Sequence, residues 1–388
     1  MSIRGRVSRL SVFLATVMVL PGLFAAVGAE GEDPVDWTVA IYVSGDNDLE
    51  KYWEQYSLPG VLNIPASENL NIVAVMDRLS TVGTEIIEIS GGSQSVVATL
   101  PEMNFGDGAT FAWFIDEVTL RYPSDHLAVV AWDHGYSWRY FSRDDSSGGD
   151  RITMPEFRTA LVQAGEFIDV LSFDCCNMAA IEVAYEASLT GMVGYMVASE
   201  ETIPMNGFPY DLMFTPVAVD TTRTPDMVAV DMVEGWEQYY DPLNWATTVG
   251  LSAVDIGVIA SGHQTIKTWT GLISADLPLY AKAYKNALHE AYAAWATHYH
   301  VDLADLGDVL LADESVTDAD LRAATAELVA LIDSATLDVW GGKGAEAMRG
   351  LTLWWASKSD WSAYSAQYTV VSFANDMGWY AFLEEYTA

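Results

Sequence analysis

The chain has 388 residues and carries 54 acidic against 18 basic side chains, a formal charge of −36, so a phosphate backbone would be repelled and nucleic acid is excluded as a partner. With 51% hydrophobic and 12% aromatic residues it can bury a large core, which excludes a disordered chain. Its two cysteines, Cys175 and Cys176, are neighbours, and no disulfide framework can be built from them.

In chain order, the first segment is a targeting signal. Arg4, Arg6 and Arg9 make a positive start, Leu10 to Leu20 an apolar run, and Val27-Gly28-Ala29 a small-residue cleavage site, the layout of a secretory signal peptide. Residues 1–29 are therefore expected to be removed and the mature protein to be exported, with no stable membrane insertion. β-rich apolar runs follow at Thr38–Val43, Asn71–Met76, Leu127–Trp132, Asp169–Phe173 and Met192–Ala198. Candidate helices lie between them, at Asp48–Tyr56, Ala109–Arg121, Met154–Ala164 and Met178–Leu189. This βαβ rhythm predicts an α/β fold with a mostly parallel sheet covered by helices on both faces. A helical run carries Asp226 to Tyr240. Further on, Leu277–Tyr299 and Asp318–Ser334 read as helices and Leu351–Trp355 as one more strand. The expected organisation is a core over residues 30–250 and a helical C-terminal region over 251–388 that adds a further strand.

Two strand ends carry chemistry. The run ending at Trp132 continues as Asp133-His134-Gly135, and the run ending at Phe173 continues as Asp174-Cys175-Cys176. In parallel sheets, active residues gather at the carboxyl ends of strands, so an imidazole and a thiol would meet at one edge. A histidine can lower the pKa of an adjacent thiol or take its proton, and it can later protonate a leaving amine. The helix expected after Cys176 would add its N-terminal field in favour of a thiolate. Glycine at 135 allows close backbone approach, so the amides of Gly135 and Cys176 are candidate oxyanion donors. The alternatives at this stage are a buried structural cysteine, a structural histidine, or a disulfide between the two adjacent cysteines.

The segments Trp37 to Glu50, Trp132-Asp133-His134-Gly135, Phe173 to Met178 with Glu182 to Tyr185, Ala198 to Glu201 with Gly207-Phe208-Pro209-Tyr210, Asp302 to Gly307, Gly350 to Trp354 and Trp379 to Leu383 resemble, in order, the signatures of the clostripain family of cysteine peptidases. The resemblance implies a caspase-like fold, a His/Cys dyad and cleavage after arginine or lysine. Its histidine falls on His134, and its nucleophile on Cys176, with Cys175 in the place of an alanine. Asp174 matches the aspartate associated with a basic P1 residue, a carboxylate suited to a guanidinium; its alternative role is a helix cap or structural hydrogen-bonder. Tyr136-Ser137-Trp138 and Asn177 depart from the family pattern. The resemblance also implies maturation in the loop after the histidine strand, where Arg143 and Arg151 flank the turn-rich stretch Asp144 to Asp150 and are candidate self-cleavage sites.

The carboxylates of that stretch could also bind calcium, although they fit no complete EF-hand. An acidic surface loop without metal is the preferred reading, and no cofactor is required. His298, His300, Asp302 and Asp305 lack the spacing of a known metal motif. Trp354, Trp355, Trp361 and Tyr364 read as packing residues or as a carbohydrate-contact surface. The sequence thus points to an exported, monomeric cysteine endopeptidase that acts on protein or peptide substrates and is open to internal cleavage. The alternative is a peptidase-like secreted binding or surface protein whose catalysis has decayed.

Overall fold

A chain with near-continuous apolar strands must cover both faces of its sheet, and strand Val35–Gly45 does so residue by residue. Trp37, Val39, Ile41 and Val43 enter one buried cluster with Tyr210 and Trp236, while Ala40 and Tyr42 enter another with Phe111 and Phe157. The computed structural model describes residues 34–243, 248–294 and 300–388; the expected signal peptide and His298 lie outside them. The residues from Pro34 to Ala388 form one compact unit.

Fourteen strands are present among the described residues: β1 Val35–Gly45, β2 Leu70–Arg78, β3 Thr84–Ser90, β4 Ser93–Leu100, β5 Ser124–Trp132, β6 Phe141–Asp144, β7 Asp150–Ile152, β8 Ile168–Asp174, β9 Val193–Ala198, β10 Gly250–Asp255, β11 Ala293–Ala294, β12 His300–Asp302, β13 Thr336–Gly341 and β14 Thr352–Trp354. Nine of them make the main sheet, in the order β13-β10-β9-β8-β5-β1-β2-β3-β4. The central five, β9-β8-β5-β1-β2, are parallel; the pairs at both edges are antiparallel. The expected α/β fold, a largely parallel sheet flanked by helices, is the one found. The helices between strands carry local stop signals: Met154–Ala164 opens on a capping box of Thr153 and Glu156 and ends at Gly165 in the left-handed region, where glycine meets no Cβ penalty.

Three elements differ from expectation. The strand expected at Leu351–Trp355 forms as β14, but in a small sheet with β12 and β11; the C-terminal region adds β13 to the main sheet instead. The helix expected at Met178–Leu189 begins at Ile181, because Asn177 is left-handed at φ 59° and Ala180 bridges Thr352 of β14. The helix expected at Leu277–Tyr299 stops at Glu290, before β11. Trp354 and Trp355 are buried, and Trp355 packs edge-on against Trp379 and Phe382, so both are core.

The chain leaving the histidine strand is anchored by Phe141 of β6. Its buried ring meets Phe111, Phe157 and Phe173 edge-on, with centroids 5.5, 5.5 and 5.3 Å away. Phe141→Ala is expected to cost about 3–5 kcal/mol, read as a lower urea midpoint at an unchanged slope.

Candidate active site

The site is assembled by the pairing of β5 with β8, whose parallel register sets Trp132 beside Asp174. The next residues on each strand therefore emerge together: Asp133 N donates to Asp174 O at 3.4 Å, and Gly135 lies against the backbone of Cys175 and Cys176. A Cβ at position 135 would fall 2.6 Å from Cys176 O, 2.8 Å from Cys175 Cβ and 3.0 Å from Cys176 N, so only glycine allows the approach. Gly135 also bridges Phe141, but the bonds of that bridge are made by Tyr136 N and Ser142 N. The Gly135 amide is thus not consumed by that pairing.

His134, Cys176 and Asp174 border one cleft of about 80 Å³, with Leu49, Tyr52, Trp132 and the segment around Ile203 to Gly207. The His134 Nε2 lies 3.1 Å from Asp48 Oδ1. A carboxylate only accepts, so Nε2 carries the proton and Nδ1 keeps the lone pair of a base. Although partial burial works to raise Asp48, its hydrogen bond to His134 and the charges of His134 and Arg143 hold it below the usual carboxylate range.

Sequence reasoning quoted Asp48 only as part of a motif and gave it no role. Asn47 and Asp133 were missed in the same way. The Asn47 amide donates to Ser44 O, Asp133 Oδ1 and Arg143 O, and the second oxygen of Asp133 accepts from Arg143 N. These bonds fix the loop that carries the imidazole.

Cys176 is half-buried. Burial pushes its thiol up to about 11, and the nearby Asp174 and Asp133 add to the rise. The helix expected to lower it begins only at Ile181, too far along the chain to act within a first turn. Both effects favour the neutral thiol. Cys175 is buried in the core with its Sγ 3.3 Å from Ala131 O, and both cysteines are free thiols.

Asp174 is almost fully buried and accepts from Phe208 N at 3.1 Å and Tyr210 Oη at 3.0 Å, both on Oδ2. Burial raises it to about 7, against the pull of those two hydrogen bonds. Gly207, left-handed at φ 65°, passes so close that a Cβ there would stand 3.0 Å from Oδ2.

Arg143 and Arg151 lie in β6 and β7, paired directly opposite each other. The expected exposed loop is a short hairpin: Arg143 is bonded through both N–H and C=O, its guanidinium pairs with Asp145 at 2.6 Å, and Asp144 is buried. Arg151 is exposed and stands over the Tyr140 ring. Asp150 accepts from Asn104. Asp302 accepts from Asp305 N at a helix start, and Asp305 accepts from Tyr292 N.

The model of the clostripain family matches residues 41–386. Clostripain of Hathewaya histolytica is 28% identical over 253 residues; the alignment covers 53% of this chain and 46% of that protein, so the matched part spans about half the relative's length. Two solved structures share the fold. A secreted C11 cysteine protease from Bacteroides thetaiotaomicron, in complex with an irreversible peptide inhibitor, superposes with a TM-score of 0.69 at 17% identity, covering 89% of this chain and 99% of that one. An inactive zymogen C11 protease from Parabacteroides distasonis superposes with a TM-score of 0.67 at 18% identity, with the same coverage. The match over residues 41–386 settles the family: the chain belongs to the clostripain family.

Proposed function

We propose that the chain is an exported endopeptidase that cuts after arginine or lysine, with Cys176 as nucleophile and His134 as acid and base. The observation that carries this reading is the convergence of His134, Cys176 and the Asp174 carboxylate on a single cleft. Nδ1 of His134 takes the Cys176 proton as Sγ attacks the scissile carbonyl carbon. The amides of Gly135 and Cys176 hold the resulting oxyanion. His134 then returns the proton to the leaving amine, and water, deprotonated by the same imidazole, releases the acyl group from the thioester. Asp48 positions the imidazole.

Asp174 selects the basic P1 side chain. Its Oδ2 is occupied by Phe208 and Tyr210, while Oδ1 meets no donor among the described residues and is available to a guanidinium or ammonium. A net charge of −36 draws basic substrates toward the cleft and keeps acidic ones away. The charged start, apolar run and small-residue site within residues 1–29 support export. No helix among the described residues is long and apolar enough to cross a membrane.

A fluorogenic Arg or Lys peptide assay tests the reading. Cys176→Ala should lose at least about 10³-fold in kcat/KM, while Cys175→Ala should remain active. Because Asp174 is raised to about 7 and a cationic side chain binds its ionised form, KM for an Arg peptide should fall as pH climbs from about 6 to about 8. Asp174→Asn should abolish that slope and cost about 10²-fold in preference for Arg over an uncharged P1 residue. An unchanged preference would remove Asp174 from the specificity pocket.

With the free thiol held near 11, the rate of iodoacetamide alkylation at Cys176 should keep rising beyond about pH 9; a plateau at neutral pH would indicate a preformed thiolate instead.

Self-cleavage after Arg143 or Arg151 requires the β6–β7 hairpin to open, and the exposed Arg151 is the more accessible of the two. Wild-type protein should separate into two bands on a denaturing gel while Cys176→Ala stays whole; equal processing of both would assign the cut to another protease.

A further inference from the structure

Two carboxyl groups meet inside the protein, one just after β9 and one at the end of β12. Glu200 and Asp302 are both fully buried, and their side chains are hydrogen-bonded to each other. A carboxylate only accepts, so such a bond exists only if one of the two acids keeps its proton. The neighbours decide which. Both oxygens of Asp302 already accept backbone N–H groups, Oδ1 from Asp305 N at 2.8 Å and Oδ2 from Arg349 N at 2.6 Å, an arrangement that favours the ion. Glu200 accepts one, from Gly350 N on Oε1 at 2.9 Å, and its buried Oε2 meets no N–H donor among the described residues. Glu200 is therefore the acid and Asp302 the acceptor. Burial and the charge of Asp302 push Glu200 well above the usual carboxylate range, whereas burial raises Asp302 only to about 6 against the pull of its backbone hydrogen bonds.

No lysine or arginine among the described residues pairs with either group; the Arg349 guanidinium is engaged by Asp308 and Asp333. The other titratable groups around the pair are Glu201, which accepts from Tyr292 Oη, Asp305, which accepts from Tyr292 N, and the buried His300, two residues before Asp302 on β12. Loss of the Glu200 proton would put a second negative charge into this enclosure with no lysine or arginine to offset it.

The backbone of the same segment grips the chain that carries the thiol. Glu201 O accepts from Asn177 N at 2.9 Å, Glu200 O from the Asn177 side-chain amide at 2.7 Å and Ser199 O from Ala179 N at 3.0 Å, while Ile203 O lies 3.9 Å from Cys176 Sγ. These bonds hold Asn177 in its left-handed conformation, directly after Cys176. We propose that Glu200 is a positioning residue for Cys176: as a neutral acid bridged to Asp302, it fixes residues 199–203 against the C-terminal region and so sets the thiol in the cleft. The proposal takes Cys176 as the nucleophile from the reading above. Its test uses no peptide substrate, so its failure is distinct from a failure of that reading.

The full chain carrying Cys175→Ala keeps a single thiol, since position 175 holds the other of its two cysteines. In it, Glu200→Ala should raise the rate of iodoacetamide alkylation at Cys176 by at least about threefold at about pH 7.5, because water entering the loosened corner relieves the burial that holds the thiol up. Glu200→Gln supplies a permanent N–H donor to Asp302 in place of the proton and should return the rate to that of its parent. The second readout is melting temperature against pH. Folding keeps the Glu200 proton above the unfolded value of about 4.3, so the contribution of this group to stability falls as pH rises toward its folded value. Between about pH 5 and about pH 8, Glu200→Gln should therefore gain about 2 °C or more on its parent. A merely structural Glu200 would lower the melting temperature of Glu200→Ala and leave alkylation unchanged, and that result overturns the proposal. It is overturned equally if Glu200→Gln fails to restore the rate or shows the same pH slope as its parent. If Glu200→Ala does not fold, the slope of Glu200→Gln decides.

Discussion

The close approach of Gly135 to the Cys175–Cys176 backbone is the constraint on which the site depends. It follows from two facts: β5 and β8 are parallel neighbours in register, and position 135 has no Cβ to collide with the opposing carbonyl. A side chain there would push two strand ends apart. The imidazole, the thiol and both candidate oxyanion amides would then lose their common frame, although none of them would have been altered. A preorganised site needs such rigidity, because donors must already face the point where charge develops. The two aromatic-rich cores on either side of the sheet supply it by leaving the strand ends little freedom.

Electrostatics divide the edge into functional regions. The half-buried cysteine lies near two carboxylates, and its thiol is held in the protonated form. The histidine faces a half-open rim, where Asp48 fixes the tautomer. Asp174 sits at a titration midpoint near neutrality, because burial and hydrogen bonding oppose each other. In the proposed mechanism no reactive thiolate is stored at rest; the imidazole takes up the thiol proton only as substrate is attacked. The same acid-rich composition that keeps the surface hydrated leaves several carboxylates inside the protein, where a proton can stand in for a missing counter-charge.

Much of this was legible in the sequence, for identifiable reasons. The parallel strands announce themselves as unbroken apolar runs because both of their faces are covered, and His134 and Cys176 stand immediately after two of those runs. β4 was invisible because Ser93–Leu100 is a polar, largely exposed edge strand without the pattern that burial imposes. The late start of the helix after Cys176 depends on a left-handed Asn177 and a bridge to β14, some 170 residues away, and no local preference records such a partner. Glu200 and Asp302 likewise become a pair only once the chain has folded. Read singly, each is one acid among 54.

The connection between β6 and β7 has a topological consequence. A chain interrupted there would carry β1 to β6, with His134, on one polypeptide, and β7 to β14, with Cys176, on the other. Yet β5 from the first piece is sandwiched between β1 of its own piece and β8 of the second, and the rings of Phe141 and Phe173 interlock across the break. The two fragments would behave as a permanent heterodimer, inseparable on a native column and resolved only by denaturant, with His134 and Cys176 of the proposed dyad on different polypeptides.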